Sequence, residues 1–115
     1  MSDGARERGV LAEVKMHNGC MRLFLDGKPH NGTMLAAYAP NDVIMGDFAK
    51  AGVTLFEVVV TPTASSYGLC KPTWLGGDNY DYSQVEERVG YITRASPTAH
   101  ILLRVNLGTP KWWAE

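Results

Sequence analysis

The segment 53–60 is the feature of this chain that most restricts its fold. Val53–Val60 is almost continuously apolar and rich in β-branched residues, with Glu57 as its one charged member. A run of this kind is typical of a strand buried on both faces, as in a parallel sheet that helices cover. The run therefore predicts an α/β fold built on a parallel sheet.

Two further apolar runs complete a strand–helix–strand–helix–strand pattern. Thr33–Tyr38 precedes the central run and His100–Leu107 follows it. Alternation of this kind implies right-handed crossovers and a parallel sheet. Such a sheet is either an open doubly wound layer or part of a barrel, and periodicity does not distinguish the two.

Two amphipathic helices are predicted between the strands. The first begins at the N-cap signal Asn41-Asp42 and ends at Gly52. The second begins at Ser83, which forms a capping box with Glu86. The apolar faces predicted from helical spacing are Ile44, Phe48 and Ala51 in the first helix, and Val85, Val89 and Ile92 in the second.

The chain before the first of these strands is predicted to be a small antiparallel β-meander. Asn18-Gly19 and Asp26-Gly27 are pairs that type I′ hairpin turns prefer, because both central residues need positive φ. We therefore expect a flexible leader over 1–10, the meander over 11–32 and a βαβαβ part over 33–115. The leader is charged and lacks the apolar region of a secretion signal, so a cytoplasmic location is the default expectation.

Composition and charge argue against several classes of function. The net charge is −1, so no basic surface indicates nucleic acid or an anionic membrane as partner. No stretch is long and apolar enough to span a bilayer. Cys20 and Cys70 are far apart and are interpreted as free thiols. The three histidines have no metal-ligand spacing, and no metal or other cofactor is expected.

Arg104 and Asn106 are the unusual residues of the third predicted strand. They are two positions apart and so share a face with Leu102. Because a charge is costly on a helix-covered face, this face is predicted to point into a barrel lumen or a ligand crevice. Glu57 is the predicted partner of Arg104; a catalytic role for it is the weaker alternative, since glycosidic chemistry needs a second carboxylate. A purely structural ion pair is the alternative to a functional site.

Aromatic residues cluster after the predicted strands. Ligands of parallel α/β folds gather at the carboxyl ends of the strands, and aromatic rings offer flat faces that suit sugar rings. These residues are therefore predicted to bind substrate, the alternative being that they pack on the rim of the fold. They are Tyr38 after the first strand, Tyr67 and Trp74 after the second, and Trp112 and Trp113 after the third.

Several segments resemble family 42-type glycoside hydrolases, which are β-galactosidase-like. Trp74–Tyr82 resembles the stretch that leads into the second barrel helix of these enzymes. Leu103–Trp113 is similar to their third barrel strand and its loop, Leu25–Pro29 to the turn before the first barrel strand, and Ala51–Thr54 to the turn before the second. The resemblance implies a partial (β/α)8 TIM barrel, with the first three parallel strands and two helices following the meander.

The resemblance also implies a hydrolase of O-glycosidic bonds that binds a β-galactoside or a related oligosaccharide. Such enzymes use two glutamates at the ends of strands four and seven, beyond the three strands predicted here. We therefore expect an N-terminal fragment that is inactive alone, with Arg104, Asn106, Trp112 and Trp113 retained at the rim. Its open sheet edge would pair with the remainder of the barrel or with another copy.

Two other interpretations of the chain remain open at this point. One is a non-catalytic carbohydrate-binding or interaction module, which would need Arg104 and the tryptophans on one accessible surface. The other is a small complete α/β protein unrelated to glycosidases, which would need a closed core and no exposed sheet edge.

Overall fold

The residues described by the computed structural model, 9–63, 70–110 and 113, belong to two compact units. The first unit ends at Thr33 and the second begins at Met34. No helix of the described residues is long and apolar enough to cross a membrane. Tyr67 and Trp112, which the sequence singled out, lie outside the described residues.

A three-stranded antiparallel sheet forms the first unit. Its strands are β1 (Ala12–His17), β2 (Cys20–Leu25) and β3 (Lys28–Pro29), in the spatial order β1-β2-β3. Both residues of Asn18-Gly19 and both of Asp26-Gly27 have positive φ, so each pair makes a two-residue turn between adjacent strands. The predicted antiparallel meander is therefore present, with the predicted turns.

The second unit has a mixed α/β architecture with a parallel sheet. Strands β4 (Met34–Ala36), β5 (Leu55–Val60) and β8 (His100–Val105) form this sheet in that order, and strands β6 (Trp74–Gly76) and β7 (Asn79–Tyr80) form a separate antiparallel hairpin. The strands of the parallel sheet are shorter than the sequence predicts. In chain order the elements are β4 (Met34–Ala36), α1 (Asp42–Lys50), β5 (Leu55–Val60), β6 (Trp74–Gly76), β7 (Asn79–Tyr80), α2 (Ser83–Ala95) and β8 (His100–Val105).

The two helices start in different ways. Asn41 is the N-cap of α1, as predicted, and its side-chain oxygen accepts a hydrogen bond from a backbone N–H of the first turn. The predicted capping box of Ser83 and Glu86 is wrong, because Ser83 already belongs to α2 and Tyr82 is the N-cap. The carboxylate of Asp81 accepts a hydrogen bond from the Ser83 N–H instead, at 2.9 Å.

The hydrophobic core lies between the two helices and one face of the parallel sheet. Its buried residues are Met45 of α1, Phe56 and Val58 of β5, and Ile92 of α2. Phe56 and Val58 are two positions apart on a strand, so they share the face that the helices cover. The same alternation places Glu57 on the opposite face of the sheet.

Each helix meets this core through one stripe of side chains. In α2 the stripe is the predicted one, which includes Val85 and Val89. In α1 the prediction is wrong: Met45 is buried in the core, whereas Phe48 and Ala51 are exposed. Apolar residues occupy more than one stripe of α1, so the position of the sheet decides which of them is buried.

Strand β8 is an edge of the parallel sheet as far as the described residues extend. Its neighbour is β5, with His100–Val105 paired to Leu55–Val60. Leu102 and Leu103, which alternate between the two faces, are both exposed. Within the described part of the chain, β8 therefore has one side without a neighbouring strand.

Candidate functional site

The parallel sheet brings three residues to one face near the carboxyl ends of its strands. In the register of the sheet Ala36 is opposite Glu57, Glu57 is opposite Leu102, and Val59 is opposite Arg104. Register partners in a sheet project to the same side, so Ala36, Glu57 and Arg104 share the face away from the helices. This is the face that the sequence predicts to be polar.

Glu57 and Arg104 form an ion pair on this face. Nη2 of Arg104 lies 3.3 Å from Oε1 of Glu57. Glu57 is only 8% exposed, whereas the side chain of Arg104 is 44% exposed. The predicted pair is therefore present, but the deeply buried charge is the carboxylate, and the guanidinium reaches it from an edge strand.

One oxygen of the Glu57 carboxylate has no hydrogen bond. Oε1 is buried and has no hydrogen-bond partner among the described residues, because the Arg104 guanidinium lies at ion-pair distance without hydrogen-bond alignment. Both oxygens of an ionised carboxylate are acceptors. A buried acceptor without a donor costs about 1–3 kcal/mol, and native structures contain few of them. Among the described residues, therefore, no donor is aligned for a hydrogen bond with this Glu57 oxygen.

A cavity of about 50 Å³ opens beside this ion pair, and we call it the ion-pair cavity. Residues with apolar side chains form part of its wall, and the ion pair supplies one acceptor group and one donor group. Tyr38, predicted from its position after the first strand, lies here too. The lining residues are Ala36, Ala37, Tyr38, Glu57, Val59 and Arg104.

Arg88 connects the Tyr38 backbone to α2. Although arginines are mostly exposed, Arg88 is only 6% exposed. Its Nη1 donates to Sγ of Cys70 at 3.2 Å, and its Nη2 donates to the carbonyl oxygen of Tyr38 at 3.5 Å. Sequence reasoning missed this residue, because an arginine on an amphipathic helix normally belongs to the solvated face.

A second depression, the aromatic groove, lies at the carboxyl end of β5 and has a volume of about 410 Å³. The centroids of the Trp74 and Trp113 rings are 6.4 Å apart, with the planes tilted by 55°. The rings of Tyr80 and Tyr82 are parallel to within 2°, with centroids 6.0 Å apart. The lining residues are Val60, Pro62, Thr73, Trp74, Tyr80 and Tyr82.

Backbone hydrogen bonds fix the β6–β7 hairpin to the end of β5. The Thr73 N–H donates to the Thr61 carbonyl and the Trp74 N–H to the Pro62 carbonyl, each at 2.9 Å. Nε1 of Trp74 donates to the carbonyl of Gly77 at 2.9 Å, within the turn of its own hairpin. The indole ring is therefore held by the β6–β7 hairpin, whose two strands the sequence analysis did not predict.

Asp81 links this hairpin to the start of α2. Its backbone N–H donates to the carbonyl of Thr73 at 2.8 Å. Hydrogen bonds from the side chain and then the backbone N–H of Ser83 stabilise its ionised form and hold the pKa of the carboxyl below its usual value. Asp81, which lies between Tyr80 and Tyr82, is thus held by hydrogen bonds of both its backbone and its side chain.

The structure divides the predicted site residues between the two depressions. Tyr38, Glu57 and Arg104 line the ion-pair cavity. Trp74 lines the aromatic groove, and the ring of Trp113 lies next to the ring of Trp74. Both depressions involve residues at or after the carboxyl ends of the parallel strands.

Asn106 belongs to neither set of lining residues. It follows the end of β8, its side chain is exposed, and its backbone N–H donates to the Val60 carbonyl at 2.9 Å. Conversely, Tyr80 and Tyr82 line the groove although sequence analysis did not name them as site residues. Their signal is the Tyr-Asp-Tyr segment, which enters the sequence analysis only as part of a resemblance.

No cluster of metal-ligating side chains exists in the ranges that the structure describes.

Comparisons with known proteins give no match to the chain. No protein-family model, no curated protein and no solved structure matches it. The ion-pair cavity and the aromatic groove are therefore the features of the described residues that bear on function.

Proposed function

We propose that this chain binds carbohydrate at the carboxyl edge of its parallel sheet, as part of a β-galactosidase-like glycoside hydrolase. The observation that carries the proposal is the aromatic groove around Trp74, Tyr80 and Tyr82. The C–H faces of sugar rings stack on aromatic rings, whose polar edges remain free to hydrogen bond. Ligands of parallel α/β proteins bind at this edge of the sheet, where Glu57 and Arg104 add polar groups.

The strand order supports a partial (β/α)8 barrel as the framework of this site. Strands β4, β5 and β8 are spatial neighbours in their chain order, as successive strands of such a barrel are. Exposed Leu102 and Leu103 give the β8 edge apolar side chains on both faces, which suits a strand with a further neighbour. We propose that the remainder of a barrel, or a second copy of the chain, pairs there.

The ion-pair cavity favours binding without hydrolysis. Glu57 is the only carboxylate among the described residues that line either depression. Retaining glycosidases need two carboxyl groups about 5–5.5 Å apart. We therefore expect no turnover of a chromogenic β-galactoside by this 115-residue chain. The same observation favours the second candidate function, a non-catalytic carbohydrate-binding module that uses the same residues.

Calorimetric titration of the chain with methyl β-galactoside and with β-galactosides of two to four residues tests the proposal. We expect saturable binding that Trp74→Ala abolishes, because the indole ring of the groove lining is then lost. Leu75→Ala is the matched control, since Leu75 is the exposed next residue of the same strand and is absent from the groove lining.

A second variant distinguishes the loss of a binding ring from the loss of the β6–β7 hairpin, which Trp74→Ala could also cause. Tyr80→Ala removes an exposed ring of the groove without touching the Trp74 indole hydrogen bond. It should weaken sugar binding while the far-ultraviolet circular dichroism spectrum is unchanged. Binding that neither substitution weakens, or a wild-type chain that binds none of these sugars, contradicts the proposal.

A further inference from the structure

We infer that the ion-pair cavity is a subsite for one hydroxyl-bearing group of a neutral ligand, with Glu57 Oε1 as its acceptor. This inference rests on the proposed carbohydrate function and specifies the class of sugar. Its starting point is the buried oxygen of Glu57, which has no hydrogen-bond donor among the described residues. A buried acceptor without a donor is costly in free energy, so a ligand that donates a hydrogen bond to this oxygen removes the cost.

The size of the cavity limits what enters it. Its volume of about 50 Å³ exceeds the roughly 10–15 Å³ that one water needs. It is far below the roughly 300–1,000 Å³ of pockets that enclose a whole drug-sized ligand. A hydroxyl or hydroxymethyl group fits, and the rest of the sugar must lie outside, where exposed Tyr38 forms part of the rim.

The charges in the cavity select a neutral group. The Glu57 carboxylate repels a ligand carboxylate or phosphate, and the Arg104 guanidinium repels an ammonium group. An acceptor and a donor 3.3 Å apart instead match a sugar hydroxyl that donates to Glu57 beside an oxygen that accepts from Arg104. The side chains of Ala36 and Val59, which share the face of Glu57, suit the C–H groups that carry these oxygens.

Glu57→Gln tests the assigned acceptor with almost no change in volume. Calorimetry would compare methyl β-galactoside, its monodeoxy analogues and galacturonate as ligands of the wild-type and variant chains. We expect wild type to prefer the neutral galactoside to galacturonate, and Glu57→Gln to bind the galactoside about tenfold more weakly. One deoxy analogue should lose about tenfold on wild type and less on the variant, because the neutral amide oxygen of Gln accepts a weaker hydrogen bond than the carboxylate does.

A second variant avoids altering the buried charge. Ala36→Val adds two methyl groups to the cavity wall on a strand that favours β-branched residues, and it should also weaken galactoside binding about tenfold. Ala12→Val is the matched control, because Ala12 is an exposed strand residue of the other unit. Both variants should keep the wild-type circular dichroism spectrum.

The outcomes separate this inference from the proposed function. Sugar binding that Trp74→Ala abolishes but that neither Glu57→Gln nor Ala36→Val weakens would overturn the subsite and leave the carbohydrate proposal standing. Preferential binding of galacturonate by the wild-type chain would likewise overturn the subsite alone. A wild-type chain that binds none of the sugars would overturn both.

Discussion

Arg104 on β8 reaches Glu57 on the neighbouring strand β5 although the sheet register pairs it with Val59. Its Nη2 lies 3.3 Å from Oε1 of Glu57, two residues back along the adjacent strand. A long side chain can cover this diagonal while its stem lies along apolar surface. The contact joins an exposed edge strand to a buried charge on the face opposite the core.

Loss of this ion pair should destabilise the second unit. Arg104→Met leaves the buried Glu57 carboxylate without its countercharge, and we expect the free energy of unfolding at pH 7 to fall by about 1–2 kcal/mol. The expected loss is smaller than the roughly 3–5 kcal/mol typical of fully buried pairs, because Arg104 is partly exposed. Urea denaturation followed by circular dichroism measures it.

Arg94→Met is the control for this prediction. It removes an ion pair with Asp42 at 3.0 Å in which both side chains are more than half exposed. Surface pairs of this kind contribute only about 0–1 kcal/mol. Equal destabilisation by the two substitutions would show that the burial of Glu57 does not matter.

Arg88 should protect the thiol of Cys70. In a Cys20→Ser background Cys70 is the only cysteine, so a thiol-reactive chromogenic disulfide reports on it alone. Arg88→Met removes the donors to Cys70 and to the Tyr38 carbonyl, and we expect faster Cys70 labelling and a loss of about 1–3 kcal/mol of stability. Arg22→Met, an exposed change in the first unit, should leave the labelling rate unchanged. Unchanged labelling in Arg88→Met would refute this role.

The side of α1 that faces the core is testable by a pair of truncations. Met45 is buried against the sheet and Val43 is exposed two residues earlier on the same helix. We expect Met45→Ala to cost about 2–5 kcal/mol of unfolding free energy. Val43→Ala should stay within about 0.5 kcal/mol, as surface substitutions do. Similar urea midpoints for both variants would contradict the packing described for α1.

Asp81 should make the stability of the chain depend on pH in the acid range. Hydrogen bonds from Ser83 lower its pKa, so the ionised carboxyl stabilises the folded state above the unfolded-state pKa of about 3.9. That contribution is lost as pH falls through the lower folded-state pKa. Asp81→Asn should therefore reduce the thermal midpoint at pH 7 and converge with wild type at strongly acid pH.

Ser83→Ala supplies the control for the acid-range prediction. The Ser83 side chain is the largest cause of the lowered Asp81 pKa, so its removal should shrink the effect of Asp81→Asn. The test is a double-mutant cycle, which needs the thermal midpoints of the two single variants and of the double variant. They are measured between pH 2 and pH 7 at roughly one-unit steps, across the range where carboxyls titrate. An Asp81→Asn effect that is independent of pH would contradict the proposed cause.

Patterns along the sequence predicted which segments form strands and helices better than they predicted the contacts that each segment makes. The apolar run ending at Val60 is a parallel strand, and Asn41 caps α1 as expected. Ser83 failed as a cap because Asp81 offers an ionised acceptor for its N–H, and a capping motif does not reveal that competitor. Met45 rather than Phe48 is buried because the sheet, which helical spacing does not locate, decides which stripe is covered.

The sequence by itself determined the succession of the three parallel strands and two helices and the turns at Asn18-Gly19 and Asp26-Gly27, and it predicted the pairing of Glu57 with Arg104. Spacing and local backbone preference suffice for the elements and turns, and the requirement that a buried charge be paired suffices for the predicted pairing. Only the tertiary structure decided that Glu57 is the deeply buried partner and that Arg88 is held against Tyr38. Burial and contacts between distant segments depend on register and on packing, and those are properties of the assembled sheet and helices.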